Sequence, residues 1–383
     1  MDFGLTEQQE QLIQLAREFG EKEIAPKVAE YNREGRLPIE IYRKMGQQGL
    51  LGITIPTMWG GRGMDYVSLM RVVEDLGYFC LVLSTLAGMN SSWTGFQLVR
   101  YGTDKQKERY LRPMCQGDII IAVGVTEPQG GSDVATVTTI ARRNNKGYVI
   151  NGQKKWISYA PSANAFSILA RMGDTDNDTR LTAFIVDKDT PGLRISTFPR
   201  MLTRQVDEVS EVFFENCQVP EESRLGDEGA GLRVTLSGLE GNRAAYAARC
   251  CGGIRACLDE AVKFAQERVA RGKPIGRNQL IQTKIADMAT NLECARYLTY
   301  HLAWLKDTGV QRATKESSMA KLFATDAFMK AATDAVQIWG AQGCSEDTKV
   351  ARLFRDAKVH QIMEGTSEIH RILIAEHTLG YSH

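Results

Sequence analysis

Four short segments of this 383-residue chain carry side chains suited to chemistry. Thr126-Glu127-Pro128-Gln129-Gly130-Gly131-Ser132-Asp133 follows an apolar run and combines two adjacent glycines with short polar side chains. Such a loop offers bare backbone N–H groups and hydroxyls to a polar or anionic ligand, or it is an ordinary turn of a β domain. Trp156-Ile157-Ser158 ends the next apolar run. Its tryptophan can stack on a planar heterocycle and its serine can bond the edge of one; a core tryptophan beside a loop serine is the plainer alternative. Arg268, Arg271 and Lys273 lie where one long helical pattern ends, before Gln279 opens another. Cations there complement a helix dipole, and they equally suit a pyrophosphate. Met363-Glu364-Gly365-Thr366-Ser367-Glu368-Ile369 leads into the last helix, with Thr366 as its N-cap. Glu364 is either a solvated acid beside that cap or a general base whose pKa desolvation raises toward working pH. These residue types alone leave both readings open.

Three regions of different texture must position these segments. Residues 1–115 read as helical: Leu12, Ile13, Leu15, Ala16 and Phe19 recur at helical spacing, and further helices are expected over 65–78, 81–101 and 104–112. Trp59-Gly60-Gly61-Arg62-Gly63 must be a loop, because its glycines cost a helix too much. Residues 116–228 read as a β domain, a barrel or two packed sheets, with strands expected over 119–125, 137–143, 148–157, 166–170, 183–186, 193–198 and 211–214. Asn144-Asn145-Lys146-Gly147 is a hairpin signal and Asn151-Gly152 a second turn signal. Residues 229–383 return to helical period, dominated by Ala, Leu and Met over 243–269, 279–308 and 315–338, the pattern of an up-and-down bundle. No internal repeat or low-complexity linker separates the regions, so one rigid body is expected.

Composition narrows the function classes. Hydrophobic residues are 43% and charged residues 24%, and the formal charge is +1 with Lys and Arg scattered. That is a globular composition without a nucleic-acid stripe or polybasic anchor, and no apolar run approaches the ~20 residues of a membrane span. The N-terminal stretch has neither a secretory pattern nor the acid-poor character of a transit peptide, so a cytoplasmic location is expected. Cys80, Cys115, Cys217, Cys250, Cys251, Cys257, Cys294 and Cys344 make no C-x-x-C pairs with partner histidines, which reads as buried reduced thiols and no metal site.

Taken together, the chain resembles the acyl-CoA dehydrogenase family along nearly its whole length. The run Val125-Thr126-Glu127-Pro128, then Gly131-Ser132-Asp133, looks like the family's first signature. Gln337-Ile338, Gly340 and Gly343, then Arg355-Asp356-Ala357 and Glu364-Gly365-Thr366, look like its second. The resemblance implies a mainly α fold with a central β-barrel domain: an N-terminal helical domain (1–115), a middle β domain (116–228) and a C-terminal four-helix bundle (229–383). It also implies a homotetramer binding FAD, with the flavin between β domain and bundle. Val125 and Thr126 would then meet the flavin pyrimidine edge, Trp156 would pack by the ring, and Ser158 would bond near N5 where relatives often have threonine. Arg268 would contact the diphosphate, with Gln279, Gln337 and Gly340 contributing across a subunit interface and Thr366 and Glu368 near the ADP half. Ser132 would contact both FAD and the acyl-CoA, and Glu240, Arg243 and Gly365 would contact the acyl-CoA. The chain departs from the family at Glu368 (often Gln), Glu240 (often Asp), Met363 (often Tyr) and Arg271 before Gly272 (often Phe).

The family's reaction removes an α-proton and a β-hydride from an acyl thioester, and the resemblance makes Glu364 the base. Some relatives carry the base just before the arginine matching Arg243, but that position is Asn242, which cannot accept a proton. Electron-transfer flavoprotein is the implied electron acceptor. An enoyl-CoA reductase running in reverse, and a non-catalytic FAD-binding scaffold, are the alternatives. Ser84 matches the position where glutaryl-CoA dehydrogenases carry an arginine, which disfavours a dicarboxylic substrate. Trp93 and Phe96 either line a pocket for a short, branched or cyclic acyl group or are core residues.

Overall fold

The structure, a computed structural model, describes residues 4–173, 175, 178–198, 201–202 and 208–381. The first three residues of the N-terminal stretch considered above lie outside that set. In chain order the elements begin with α1 (Glu7–Phe19), α2 (Val28–Glu34), α3 (Ile39–Gln47), α4 (Tyr66–Phe79), α5 (Leu81–Ser92), α6 (Thr94–Tyr101), α7 (Asp104–Gln106) and α8 (Arg112–Gln116). The strands follow: β1 (Ile121–Gly124), β2 (Ile140–Asn144), β3 (Gly147–Ile157), β4 (Ala165–Met172), β5 (Leu181–Asp187), β6 (Leu193–Thr197), β7 (Ser210–Val219) and β8 (Arg224–Leu225). Then come α9 (Gly231–Ser237), α10 (Leu239–Glu267), a hairpin of β9 (Val269–Ala270) and β10 (Lys273–Pro274), α11 (Gln279–Asp307), α12 (Thr314–Trp339), α13 (Lys349–His360) and α14 (Ser367–Leu379). The order is helical, β, helical, as the textures indicated.

The described chain gathers into two compact units. One combines residues 1–29 and 65–88 with 240–383; the other combines 30–64 with 89–239. In the first, α10 is almost wholly buried from Gly241 to Ile254, and α12 buries Ser317, Lys321, Ala324, Phe328, Ala331 and Ala335 along one face. The ring of Phe328 occupies the space a side chain at Gly253 would fill, so α10 and α12 approach closely there. Helix α12 also packs on α11, α13 and α14. At the N-terminal end, Thr6 and Gln9 form a capping box for α1, whose buried face carries Leu12, Ile13, Ala16 and Phe19.

In the second unit the β domain is one eight-stranded sheet of order β6-β7-β3-β2-β4-β5-β8, with β1 parallel to β4. Among the described residues its end strands β6 and β8 are not paired with one another, so the barrel takes the form of a single sheet. Asn144 pairs with Gly147 across the anticipated two-residue hairpin. Asn151-Gly152 is not a turn. It is a bulge inside β3, where the register to β7 shifts and the Asn151 Oδ1 accepts the Asn216 N–H at 2.8 Å.

The helix expected over 81–101 divides at Trp93, whose backbone leaves the helical region. The break is tight: a Cβ at Gly95 would lie 1.9 Å from the Asn90 carbonyl oxygen, so only glycine fits. The two-residue strand β8 carries too short a pattern to be read from sequence. All eight cysteines are free, as expected, but Cys294 and Cys344 are exposed rather than buried.

Candidate active site

The turn between α13 and α14 places Glu364 in the left-handed backbone region at φ 58°, followed by Gly365 at φ 94°. A non-glycine residue there is strained, and such strain persists only where neighbours enforce it. The neighbours are identifiable. Lys321, wholly buried on α12, donates from Nζ to the Gly365 carbonyl at 2.7 Å. Arg243, buried on α10, donates from Nε to the Glu364 carbonyl at 3.4 Å. Asp326, one turn past Lys321, accepts from Gln361 Nε2, Ser367 Oγ and Arg371 Nη2 on either side of the turn. Thr366 caps α14 as anticipated, its hydroxyl accepting the Ile369 N–H at 3.3 Å.

The Glu364 residue as a whole is partly exposed, but its Oε2 is buried and has no hydrogen-bond partner among the described residues. Burial pushes its carboxyl above the ordinary range, opposed by the Asn242 amide and by Arg249, Arg243 and Lys321. A desolvated carboxylate with an uncommitted oxygen is what a general base requires, and a solvated capping acid has neither property. His370 and His360 flank the site. Burial, first, and nearby cations hold His370 down at about 3 and His360 well below its usual value, so both are neutral near pH 7.

Among the other residues singled out in this unit, Gly365 joins the cluster directly. A side chain on it would meet His370 Nε2 at 3.1 Å and Arg243 Nη2 at 3.6 Å. Glu240 does not join. Its carboxylate accepts from Lys306 Nζ, the Ala313 N–H and Thr314 Oγ1 at 3.1, 3.0 and 2.8 Å, which ties α10 to the start of α12. Arg268, Gln279, Gln337, Gly340 and Glu368 are exposed. Arg268 precedes the β9–β10 hairpin, whose turn residues Arg271 and Gly272 both have positive φ.

In the β-domain unit, Glu127 organises the polar loop. Its carboxylate accepts from Lys154 Nζ (2.7 Å), Thr138 N (2.7 Å) and Oγ1 (2.6 Å), Thr139 N (3.0 Å) and Gln129 Nε2 (2.6 Å). Both members of the Glu127–Lys154 ion pair are buried. Lys154 also reaches the Val125 carbonyl at 3.4 Å, and Thr126 accepts the Lys155 N–H at 2.9 Å, so Val125 and Thr126 are held against β3. Beyond them Gly130, Gly131 and Ser132 lie exposed. At the end of β3, Trp156 sits at φ 60°, its indole half-exposed and stacked on Phe198 with ring centres 4.7 Å apart. Ser158 follows, partly exposed. Trp93 is a core residue here: its indole N–H donates to the Thr235 carbonyl at 3.0 Å.

Comparison with known proteins matches the acyl-CoA dehydrogenase N-terminal domain to residues 6–118, the middle domain to 122–217 and the C-terminal domain to 229–379. The chain belongs to the acyl-CoA dehydrogenase family. An acyl-CoA dehydrogenase of Bacillus subtilis is 38% identical over 376 residues, 98% of this chain and 99% of that protein. Butyryl-CoA dehydrogenase from Megasphaera elsdenii superposes with a TM-score of 0.94 at 34% identity, covering 99% of this chain and 100% of that one. A chain from a structure described as "Electron transferring flavoprotein of Acidaminococcus fermentans: Towards a mechanism of flavin-based electron bifurcation" superposes with a TM-score of 0.95 at 36% identity, with the same coverage.

As an acyl-CoA dehydrogenase, the chain is a flavoprotein oxidoreductase acting on CH–CH bonds. Lys321, Asp326, Arg249 and the Glu127–Lys154 pair escaped the motif reading. Lys321 carried a signal nonetheless: it shares the helical face of Ser317, Ala324 and Phe328, where a lysine among core residues is out of place. No helix among the described residues is long and apolar enough to cross a membrane.

Proposed function

We propose that the protein is a cytoplasmic, FAD-dependent, homotetrameric acyl-CoA dehydrogenase that desaturates the α,β carbons of a short, branched or cyclic acyl thioester and passes electrons to electron-transfer flavoprotein. The observation that carries the reading is the buried, uncommitted Glu364 oxygen on a turn strapped by Lys321, Arg243 and Asp326. The Megasphaera elsdenii neighbour, named for butyryl-CoA, supports a short acyl group, and the Acidaminococcus fermentans neighbour supports an electron-transferring flavoprotein as partner.

The residues present suit FAD. Trp156 offers a half-exposed indole in a strained backbone, two residues before Ser158, and the segment of Val125 and Thr126 held against β3 adds the Thr126 hydroxyl. Arg268, Gln279, Gln337, Gly340, Thr366 and Glu368 supply the cation and polar groups that a diphosphate and adenosine call for. FAD, when bound, supplies the acceptor for the β-hydride. Everything else falls to the chain. Glu364 takes the α-proton onto its carboxylate as the hydride leaves the β-carbon. The Glu364 backbone N–H holds the thioester oxygen, where enolate charge develops. Arg243 and Gly365 receive the acyl-CoA. Because burial raises the Glu364 pKa, the proton transfer is better matched than it would be to an exposed carboxylate.

The test is anaerobic mixing of the purified yellow protein with a panel of acyl-CoAs. Loss of flavin absorbance with a C4 to C6 ester, faster than with palmitoyl-CoA, is the expected result. A colourless protein that FAD does not convert, or a flavin that no acyl-CoA bleaches, defeats the reading.

A further inference from the structure

Arg249 is 2% exposed in the middle of α10. It stands at i+7 from Asn242 and i+3 from Tyr246, so the three share one face of the helix, with Arg249 about 10 Å along the axis from Asn242. That face runs along the base turn. Asn242 lies at the Glu364 carboxyl, and the Tyr246 hydroxyl meets the sulfur of Met363, the residue before the base, at 3.3 Å. Arg249 is the next polar group in line. The central carbon of its guanidinium lies over the Tyr246 ring, 3.2 Å from the ring centre, and Nη1 donates to the Thr85 hydroxyl.

Arg249, Arg243 and Lys321 all bear on the carboxylate of Glu364, Glu240 bears on Arg243 as well, and His360 and His370 are neutral. Burying a guanidinium is expensive, and active sites are where such a cost is retained for a purpose. A planar guanidinium is pre-organised for the two oxygens of a carboxylate. Ser84, standing where an arginine would pair with a distal carboxylate, disfavoured a dicarboxylic substrate. Ser84 is indeed buried and donates to the Val73 carbonyl, but its neighbour Thr85 receives Arg249 from α10. The cation arrives from a different helix.

We propose that Arg249 receives a carboxylate carried on the acyl group, which makes the substrate a coenzyme A monothioester of a short dicarboxylic acid. The proposal rests on the acyl-CoA dehydrogenase reading above and narrows its substrate class. It has a consequence for the base. Arg249 opposes the rise of the Glu364 pKa, so a ligand carboxylate that neutralises Arg249 lets that pKa climb further once substrate is bound.

The experiment uses FAD-loaded tetramer in a Glu364→Gln background, where ligands bind without turnover, alone and combined with Arg249→Gln or Arg249→Lys. Dissociation constants are measured by calorimetry for three pairs matched in carbon number: succinyl- and butyryl-CoA, glutaryl- and valeryl-CoA, adipyl- and hexanoyl-CoA. At least one dicarboxylic ester is expected to bind at least about tenfold more tightly than its partner, as a buried arginine–carboxylate pair should provide. Arg249→Gln should erase that preference while the unsubstituted esters keep their affinity, and Arg249→Lys should retain part of it. Flavin content and far-UV circular dichroism report folding, and the matched-pair comparison stands even if both Arg249 variants fail to fold. If no dicarboxylic ester is preferred, or if Arg249→Gln weakens both members of each pair alike, Arg249 is structural and this proposal falls while the dehydrogenase reading survives. If none of the six esters binds, both fall.

Discussion

The ammonium of Lys321 and the carbonyl of Gly365 are joined by a 2.7 Å hydrogen bond that ties the middle of α12 to the turn bearing Glu364. Lys321 is wholly buried, and burial pushes its pKa down to about 8, so at neutral pH it is still mostly a cation one residue from the base. It therefore acts twice: its bond holds the left-handed turn, and its charge lowers the Glu364 pKa.

Replacing Glu364 with glutamine preserves size and removes the proton acceptor. Reductive bleaching of the flavin by acyl-CoA should fall by ~10²–10⁴-fold or more, with ligand affinity changing much less. Rapid-mixing absorbance and a binding titration measure the two separately. Bleaching within about tenfold of the parent rate would assign the base elsewhere.

The same substitution has a stability consequence. The folded-state pKa of Glu364 is raised, so the folded protein binds its proton more tightly than the unfolded chain does. The resulting penalty is absent below the unfolded carboxylate pKa and complete above the raised folded value. Glu364→Gln should thus raise the Tm near pH 7, and the gain should shrink as pH falls through that window. Calorimetric melting of both proteins across pH checks this; a gain that persists unchanged at acid pH contradicts it.

Proton removal needs ionised Glu364, so kcat/KM should fall as pH drops through a pKa above the ordinary carboxylate value. Lys321→Met removes a cation that holds this pKa down. The acid limb should move to higher pH, and kcat should drop because the turn loses a strap. An acid limb that does not move in Lys321→Met would show that the lysine acts on geometry alone.

In the β-domain unit, Glu127→Gln leaves Lys154 buried without its counter-charge. Breaking a buried pair from one side costs about 3–5 kcal/mol. The pairing holds the Glu127 carboxyl well below its usual range, so its stabilisation is present above the unfolded carboxylate pKa and is lost as pH falls through the depressed folded value. Denaturant unfolding monitored by Trp156 fluorescence should show the loss at pH 7 and a smaller difference in acid. An unchanged midpoint at pH 7 would mean that the neutral groups around Glu127 suffice.

Periodicity and turn chemistry made much of this protein readable from its residues. The helical face of Leu12, Ile13, Ala16 and Phe19, the two-residue hairpin after Asn144 and the cap at Thr366 all follow from local rules, and all are present. The break at Trp93 and the bulge at Gly152 were not readable, because each depends on what a distant segment demands: the Ile55 side chain packed against Gly95, and the register of β7 against β3.

By itself the sequence determined the helical, β, helical order, the family and the identity of the candidate base, because those depend on spacing and residue type along the chain. What surrounds that base was decided only in three dimensions. Arg243 and Arg249 come from α10, Lys321 and Asp326 from α12 and His370 from α14, segments separated by dozens of residues that meet at one turn. Whether Glu364 is a solvated acid or a desolvated base depends on that convergence, since a carboxylate's pKa is set by burial and neighbouring charge and not by its place in a motif.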